Sequence, residues 1–385
     1  MKHHKTIIIG CGASGAFCGI TTTCNDVAIV DAEFTPAKKL LVTGNGRCNL
    51  TNLNTNSNFY NVNINSYLNK FNTLDTLNYF KTIGLVTYAD EEGRVYPISN
   101  SAKSVQDCII NKLQEKSVTL YLAEKVLKIE HSSNIFTIYT DKQQLSCNNL
   151  VISIGSKNAE NILNSLNIKY SPFVPSLVSL KSKEIKNLNG IRLSNVKVTA
   201  TCLDESKTEF GEVLFKENGI SGICVFNLST IFARQNNFNG TITIDILPNY
   251  KKEELVKLLN DRKVLNVKLN KYFVGMFQNA IADEIFKQSK INTSKNCSNL
   301  TLEEIELLAT TIKNLTFKVD GVFENNQVFC GGVNLNDLTE NLESKEIPNL
   351  YFTGEVCNVD GVCGGYNLQW AFTSGFIVGE NLWLN

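Results

Sequence analysis

The stretch Thr6-Ile7-Ile8-Ile9-Gly10-Cys11-Gly12-Ala13-Ser14-Gly15-Ala16-Phe17-Cys18-Gly19-Ile20 is followed, after a polar break, by Val27-Ala28-Ile29-Val30-Asp31. It reads as a strand, a glycine turn, an apolar helix and a second strand ending in an acid. A Gly-x-Gly-x-x-Gly run alone is also met in ordinary tight turns. Here the strand before it, the helix after it and an aspartate 21 residues beyond Gly10 supply the βαβ context that a dinucleotide site requires. Gly10, Gly12 and Gly15, with Ala13 and Ser14 between them, let backbone N–H groups at a helix start approach a pyrophosphate. Asp31 is placed to accept from the adenosine ribose.

Composition narrows the partners. The 385 residues leave room for two or three packed units. Thirty-seven basic residues balance thirty-seven acidic ones, so no net field draws the chain to nucleic acid or an anionic membrane, and a small-molecule substrate is expected. The twelve cysteines show no Cys-x-x-Cys pair. They read as reduced thiols packing as small apolar groups in a cytoplasmic protein. No stretch reads as a membrane span or a targeting segment, and oligomeric state stays open. Histidine occurs only at 3, 4 and 131, which leaves little from which to build a histidine triad or a metal site, so none is expected and the chemistry falls to a cofactor.

After Asp31 the run Lys38-Lys39-Leu40-Leu41-Val42-Thr43-Gly44-Asn45-Gly46-Arg47-Cys48-Asn49-Leu50-Thr51-Asn52 concentrates turn formers. Successive N–H groups in such a turn form an anion-binding nest, and Arg47 adds a cation beside it. Residues 101–117 have helical spacing, and three short strands from Val126 to Cys147 read as a meander. The strand Leu150-Val151-Ile152-Ser153-Ile154 ends at Gly155; Val126 and Gly155 join the cofactor-binding set. Residues 176–250 alternate over short runs, as in a β-barrel-like unit, whereas 251–314 carry helical patterns with Thr301 as a cap. The expected organisation is α/β. Residues 1–175 and 331–385 form a discontinuous Rossmann-like domain, 176–250 and 315–330 a β-rich insert, and 251–314 a helical insert.

The closing segment, Leu350 to Glu380, returns to the first fold as a strand, a glycine-punctuated loop and a helix whose small residues at 371, 374, 375 and 379 permit close packing. Free N–H groups around Gly364, Gly365, Tyr366 and Asn367 put the positive end of a helix dipole where reduced flavin carries negative charge. Glu355 is placed for the ribityl or pyrophosphate region, and Asp360 is either a further contact or a turn former. This arrangement points to FAD.

At these residues the chain resembles the YhiN/BaiN-type flavoproteins, a group that includes aminoacetone-oxidase-like enzymes. The likeness is carried by Gly10 to Gly15, by Lys39 to Asn52, by Gly354-Glu355-Val356 and by Gly364 to Gln369. Gly211 to Phe215 and Asn341 to Lys345 extend it over the whole chain. The resemblance implies an FAD domain interrupted by barrel-like and helical units, and adds Lys39, Thr43, Gly44, Gly46, Cys48, Asn49 and Leu368 to the cofactor-binding set. Asn45 stands where the family usually has glycine, and no histidine follows Phe215, so no histidine role is carried over. It also implies an oxidoreductase with catalytic side chains unassigned. The leading expectation is hydride transfer through flavin N5, oxidising a small organic substrate such as an amine with oxygen or another acceptor. The alternatives are an NAD(P)H-dependent reductase of an enone or quinone, with NAD(P)H bound transiently, and a non-catalytic FAD-binding regulator.

Overall fold

The computed structural model describes residues 1–323 and 328–382. The chain forms two compact units, Met1–Val174 with Val328–Asn385, and Pro175–Gln327.

The first unit is built on β1 (Lys2–Ile9), which pairs in parallel with β2 (Val27–Val30) on one side and with β3 (Gln144–Ile152) on the other. Ile7, Ile8 and Ile9 are buried, as expected for a strand covered on both faces. The parallel sheet runs 119–121, β2, β1, β3 and then β4 (Leu350–Phe352). β3 has two roles along its length. Its first half carries the antiparallel strand Ile135–Thr140 and then Val126–Ser132, and its second half carries β4. The segment expected as a meander is therefore one, and the closing strand lies in the same sheet as the opening one.

Helix α1 (Ala13–Thr21) and the closing helix α2 (Tyr366–Asn381) pack against each other. A Cβ on Gly375 would stand 3.2 Å from the Cys18 nitrogen, and one on Gly379 would stand 3.0 Å from the Cys18 carbonyl oxygen. Larger side chains at these positions would hold the two backbones apart. Phe17 completes the contact, its ring 5.0–5.7 Å from those of Phe71, Tyr79, Phe80 and Phe372. A small antiparallel sheet of Thr51–Asn52, Arg94–Pro97 and Thr87–Ala89 lies beyond.

The second unit holds an antiparallel sheet in the order 315–319, 240–245, 192–202, 205–216, 219–221, 180–181, 321–322. Its two ends are Leu315–Val319 and Gly321–Val322, separated only by Asp320, so one continuous segment supplies both edge strands, pairing with 240–244 and with 180–181, and curls the sheet on itself. The helix Ile223–Arg234 interrupts the stretch read as strands, because Cys224, Val225, Leu228, Ile231 and Phe232 recur at helical spacing and are buried. Helices Lys252–Asp261, Asn279–Ser289 and Leu302–Lys313 share its apolar core. The last begins with a capping box in which Thr301 Oγ1 accepts from the Glu304 amide at 3.2 Å and Glu304 accepts from the Thr301 amide at 2.9 Å. No helix among the described residues is long and apolar enough to cross a membrane.

Candidate active site

The glycine turn divides its labour. Gly10 has φ +99°, and a Cβ there would stand 2.7 Å from the Ser153 carbonyl oxygen. A Cβ on Gly15 would run into the Gly10 carbonyl oxygen and stand 2.7 Å from Ser153 Oγ. At Gly12, by contrast, a Cβ would meet nothing within 4 Å. The first and third glycines close the turn onto the sheet, and the middle one opens onto free space at the start of α1. No side chain caps that start among the described residues, so its N–H groups stay available to an anion. Ser14 and Ser153 hydroxyls bond at 2.7 Å and lock α1 to the end of β3.

Asp31 is held by the backbone. Its Oδ2 accepts from the Cys11 amide and its Oδ1 from the Glu33 amide at 2.7 Å. Each oxygen keeps a lone pair for a ribose hydroxyl. The loop is pinned further by Ala123 N to Glu33 O at 2.9 Å and Ala37 N to Cys11 O at 2.6 Å. Val126 lies two residues past Glu124, whose amide bonds the Asp31 carbonyl at 2.9 Å.

In the second loop Gly44 (φ +55°), Asn45 (φ +56°), Gly46 (φ +81°) and Cys48 (φ +60°) all take left-handed conformations. Asparagine accepts that region at small cost, so Asn45 in the usual place of a glycine keeps the turn intact. Thr43 Oγ1 bonds the Leu40 carbonyl at 2.7 Å and steadies the turn. Arg47 is exposed and lies over the Tyr96 ring at 4.5 Å. Cys48 is fully buried, which pushes its thiol up to about 12, so it is a packed and unreactive group. Asn49 Oδ1 is buried and finds no hydrogen-bond partner among the described residues, beside the backbone of Gly365. A buried acceptor left empty is costly, and a ligand donor relieves it.

The closing segment meets the opening one here. Gly354 (φ +71°) sits against Ser14, donates to Ser374 Oγ at 2.8 Å and accepts from Trp370 Nε1 at 3.0 Å. Glu355 pairs with Lys39 at 3.1 Å and accepts from the Phe329 amide at 3.0 Å; a Cβ on Gly155 would lie 2.7 Å from its carboxylate. Lys39, Gly155 and Glu355, far apart in sequence, thus adjoin. Asp360 is buried and its amide donates to Asn61 Oδ1 at 2.8 Å. Asn367 exchanges two 2.9 Å bonds with the Gly361 backbone, and Leu368 follows it in the first turn of α2. Tyr366 is buried with its ring stacked on Phe59 at 4.4 Å, and its carbonyl accepts from Tyr60 at 2.8 Å. No side chain among the described residues caps α2 at Gly365.

Sequence reading passed over several residues that hold this geometry. Asn52 donates to the Gly364 carbonyl at 3.0 Å. Gln369, fully buried, accepts from Thr51 at 2.6 Å and Thr76 at 3.1 Å and donates to Thr373 at 3.0 Å. Gln369 and Asn52 lie inside quoted motifs, and Gln369 beside Trp370, Ala371 and Phe372 on the closing helix was the available signal.

A family model described as "HI0933-like protein Rossmann domain" matches residues 4–381. The chain belongs to the HI0933-like Rossmann family. Among its relatives, a 3-dehydro-bile acid delta(4,6)-reductase of Clostridium scindens is 31% identical, covering 97% of this chain and 97% of that protein. A ribosomal RNA dihydrouridine synthase of Escherichia coli is 27% identical, covering 99% and 98%. The solved 3-ketosteroid-delta4-(5alpha)-dehydrogenase of Rhodococcus jostii shares the fold with TM-score 0.51 at 10% identity, covering 99% of this chain and 97% of that one. The protein is an FAD-dependent oxidoreductase with a Rossmann-like α/β fold. The residues fit the cofactor: Gly12 leaves space for a pyrophosphate, the starts of α1 and α2 are uncapped, and Asn49 offers an orphaned acceptor.

Proposed function

We propose that this protein is a reductase that adds two hydrogens across a carbon–carbon double bond of a small unsaturated carbonyl compound, with NAD(P)H as the electron donor. The observation that carries the reading is the full-length likeness to a protein named as a 3-dehydro-bile acid reductase. The dihydrouridine synthase name points the same way, since dihydrouridine is uridine with two added hydrogens. Both names run in the reducing direction, which is why reduction is preferred to oxidation of an amine.

When bound, FAD supplies hydride transfer. The chain's own groups bind and orient it. Asp31 would take the ribose and the N–H groups following Gly12 the phosphates, with Lys39 and Glu355 bordering them; the Arg47 and Cys48 amides are spent on the Gly44 and Thr43 carbonyls and hold the second loop in shape beside them. The N–H groups of α2 beyond Gly365 place positive potential for the negative charge of the reduced state.

The test is anaerobic. Purified holoenzyme is mixed with NADH or NADPH and the flavin absorbance followed, and then a 3-oxo-4-ene steroid, a saturated ketone, a uridine-containing RNA fragment or oxygen is added. Bleaching by a nicotinamide followed by recovery with the enone and not the saturated ketone supports the reading. Bleaching by simple amines alone, recovery with RNA alone, or no turnover with any pair overturns it.

A further inference from the structure

The small sheet of the first unit carries an apolar face that the cofactor-binding reading leaves unused. Tyr88 pairs with Tyr96 across its two longer strands, and the Ile98 amide bonds the Val86 carbonyl at 2.9 Å. Directly opposite and alternate residues share a face of a sheet, so these four side chains stand together. Val86 is 60% exposed, Ile98 65% and Tyr88 36%. Tyr96 is buried because Arg47 lies over its ring at 4.5 Å and Tyr88 sits 5.9 Å away. The strip therefore runs from two exposed aliphatic residues, over two tyrosines, to a guanidinium.

That guanidinium is without an acidic partner. Arg94, on the same strand as Tyr96, is committed to Asp90 at 2.7 Å and Glu92 at 2.6 Å. Arg47 forms no ion pair among the described residues, and its one side-chain hydrogen bond to them is a long 3.4 Å contact from Nε to the Gly44 carbonyl. Its terminal N–H groups remain open to a planar anion, held in place by the ring beneath. Gly44 touches the same ring, a Cβ there lying 3.5 Å from Tyr96 Cε1, so the strip adjoins the cofactor loop.

We propose that Val86, Tyr88 and Ile98, with Arg47 on Tyr96, form the substrate-recognition face, and that the substrate is a largely apolar molecule carrying a carboxylate. The hydrocarbon body covers the aliphatic and tyrosine side chains and the carboxylate pairs with Arg47. This rests on the reductase reading above and adds the class of molecule it acts on. Charge complementarity argues for this occupant: an open guanidinium at one end of an apolar strip matches a carboxylate at one end of an apolar molecule, and a second copy of the chain would show itself in sedimentation.

The experiment measures binding without turnover. Oxidised holoenzyme is titrated with a 3-oxo-4-ene steroid bearing a side-chain carboxylate and with its methyl ester, following the flavin spectrum. The acid binds at least tenfold tighter than the ester. Arg47→Gln removes that difference, and Ile98→Asp, at a side chain 65% exposed, weakens both ligands at least tenfold while FAD content is retained. Equal affinity for acid and ester in the unmodified protein overturns the proposal. So does a normal titration of Ile98→Asp, or an Ile98→Asp effect on sedimentation in place of one on binding. If acid selectivity holds and the bound enone is never reduced, the reductase reading alone fails; if the enone is reduced without acid selectivity, this inference alone fails.

Discussion

Gly375 and Ser14 are in direct backbone contact: a Cβ on the glycine would stand 2.6 Å from the Ser14 carbonyl oxygen. It is one of two close approaches, with Gly379 beside Thr21, between the two helices that frame the cofactor loops. Gly375→Ala forces them apart at a backbone atom that cannot swing aside, and overpacking of this kind costs about 1–3 kcal/mol. The expected result is a melting temperature lower by several degrees and weaker FAD retention, read by thermal unfolding followed through released flavin fluorescence.

Gly10 and Gly12 should respond differently to the same change. Gly10→Ala meets the Ser153 carbonyl at a positive φ, so the apo protein loses stability. Gly12→Ala meets no protein atom, so apo stability holds while the methyl group occupies the space left for pyrophosphate. Urea unfolding of the apo forms beside FAD titrations separates the two; equal destabilisation by both changes would contradict this division.

Thiol chemistry should follow burial. Cys11 is pushed up to about 12 by burial and by the nearby Asp31 charge, and Cys48 to about 12 by burial against a Thr43 hydrogen bond. At pH 8 a thiol of that kind is thiolate in about one part in ten thousand. Mass mapping after brief alkylation of the native protein should find label at the half-buried Cys24, Cys108 and Cys363 and none at Cys11 or Cys48.

Acid should weaken the fold through Glu304 and Asp90. A hydrogen bond from Lys295 and the Thr301 amide hold Glu304 below the usual carboxylate range. For Asp90 burial acts upward, and the hydrogen bonds and charge of Arg94 outweigh it. A depressed folded-state value means stability that is present above the unfolded value, near 4, and lost as pH falls through the folded one. Urea midpoints should therefore be level from pH 7 to 5 and drop below about 4, with Glu304→Gln less stable at neutral pH and less sensitive to acid.

The cofactor cradle was legible because its determinants are local. A positive φ at Gly10, an acid closing β2 and small residues on α2 leave marks within a few positions of themselves. Asn45 was readable as a departure, though only its φ of +56° shows that the turn survives it. What the sequence hid are contacts across long separations. Ser153 meets Ser14 139 residues away, Gln369 meets Thr51 318 away, and Tyr96 lies under Arg47 by a strand pairing that no periodicity announces. The closing of the barrel-like sheet by 315–322 is of the same kind, since each strand looks ordinary by itself. The helix 223–234 was masked because its apolar residues are dense enough to fit either period.

The hydroxyl of Ser14 reaches the Thr353 carbonyl across 339 residues. During synthesis the opening βαβ unit leaves the ribosome long before the strand and helix that complete its nucleotide cradle. The nascent chain therefore has no finished place to hold FAD until residues 350–381 have emerged, and a message truncated upstream of them yields a colourless product.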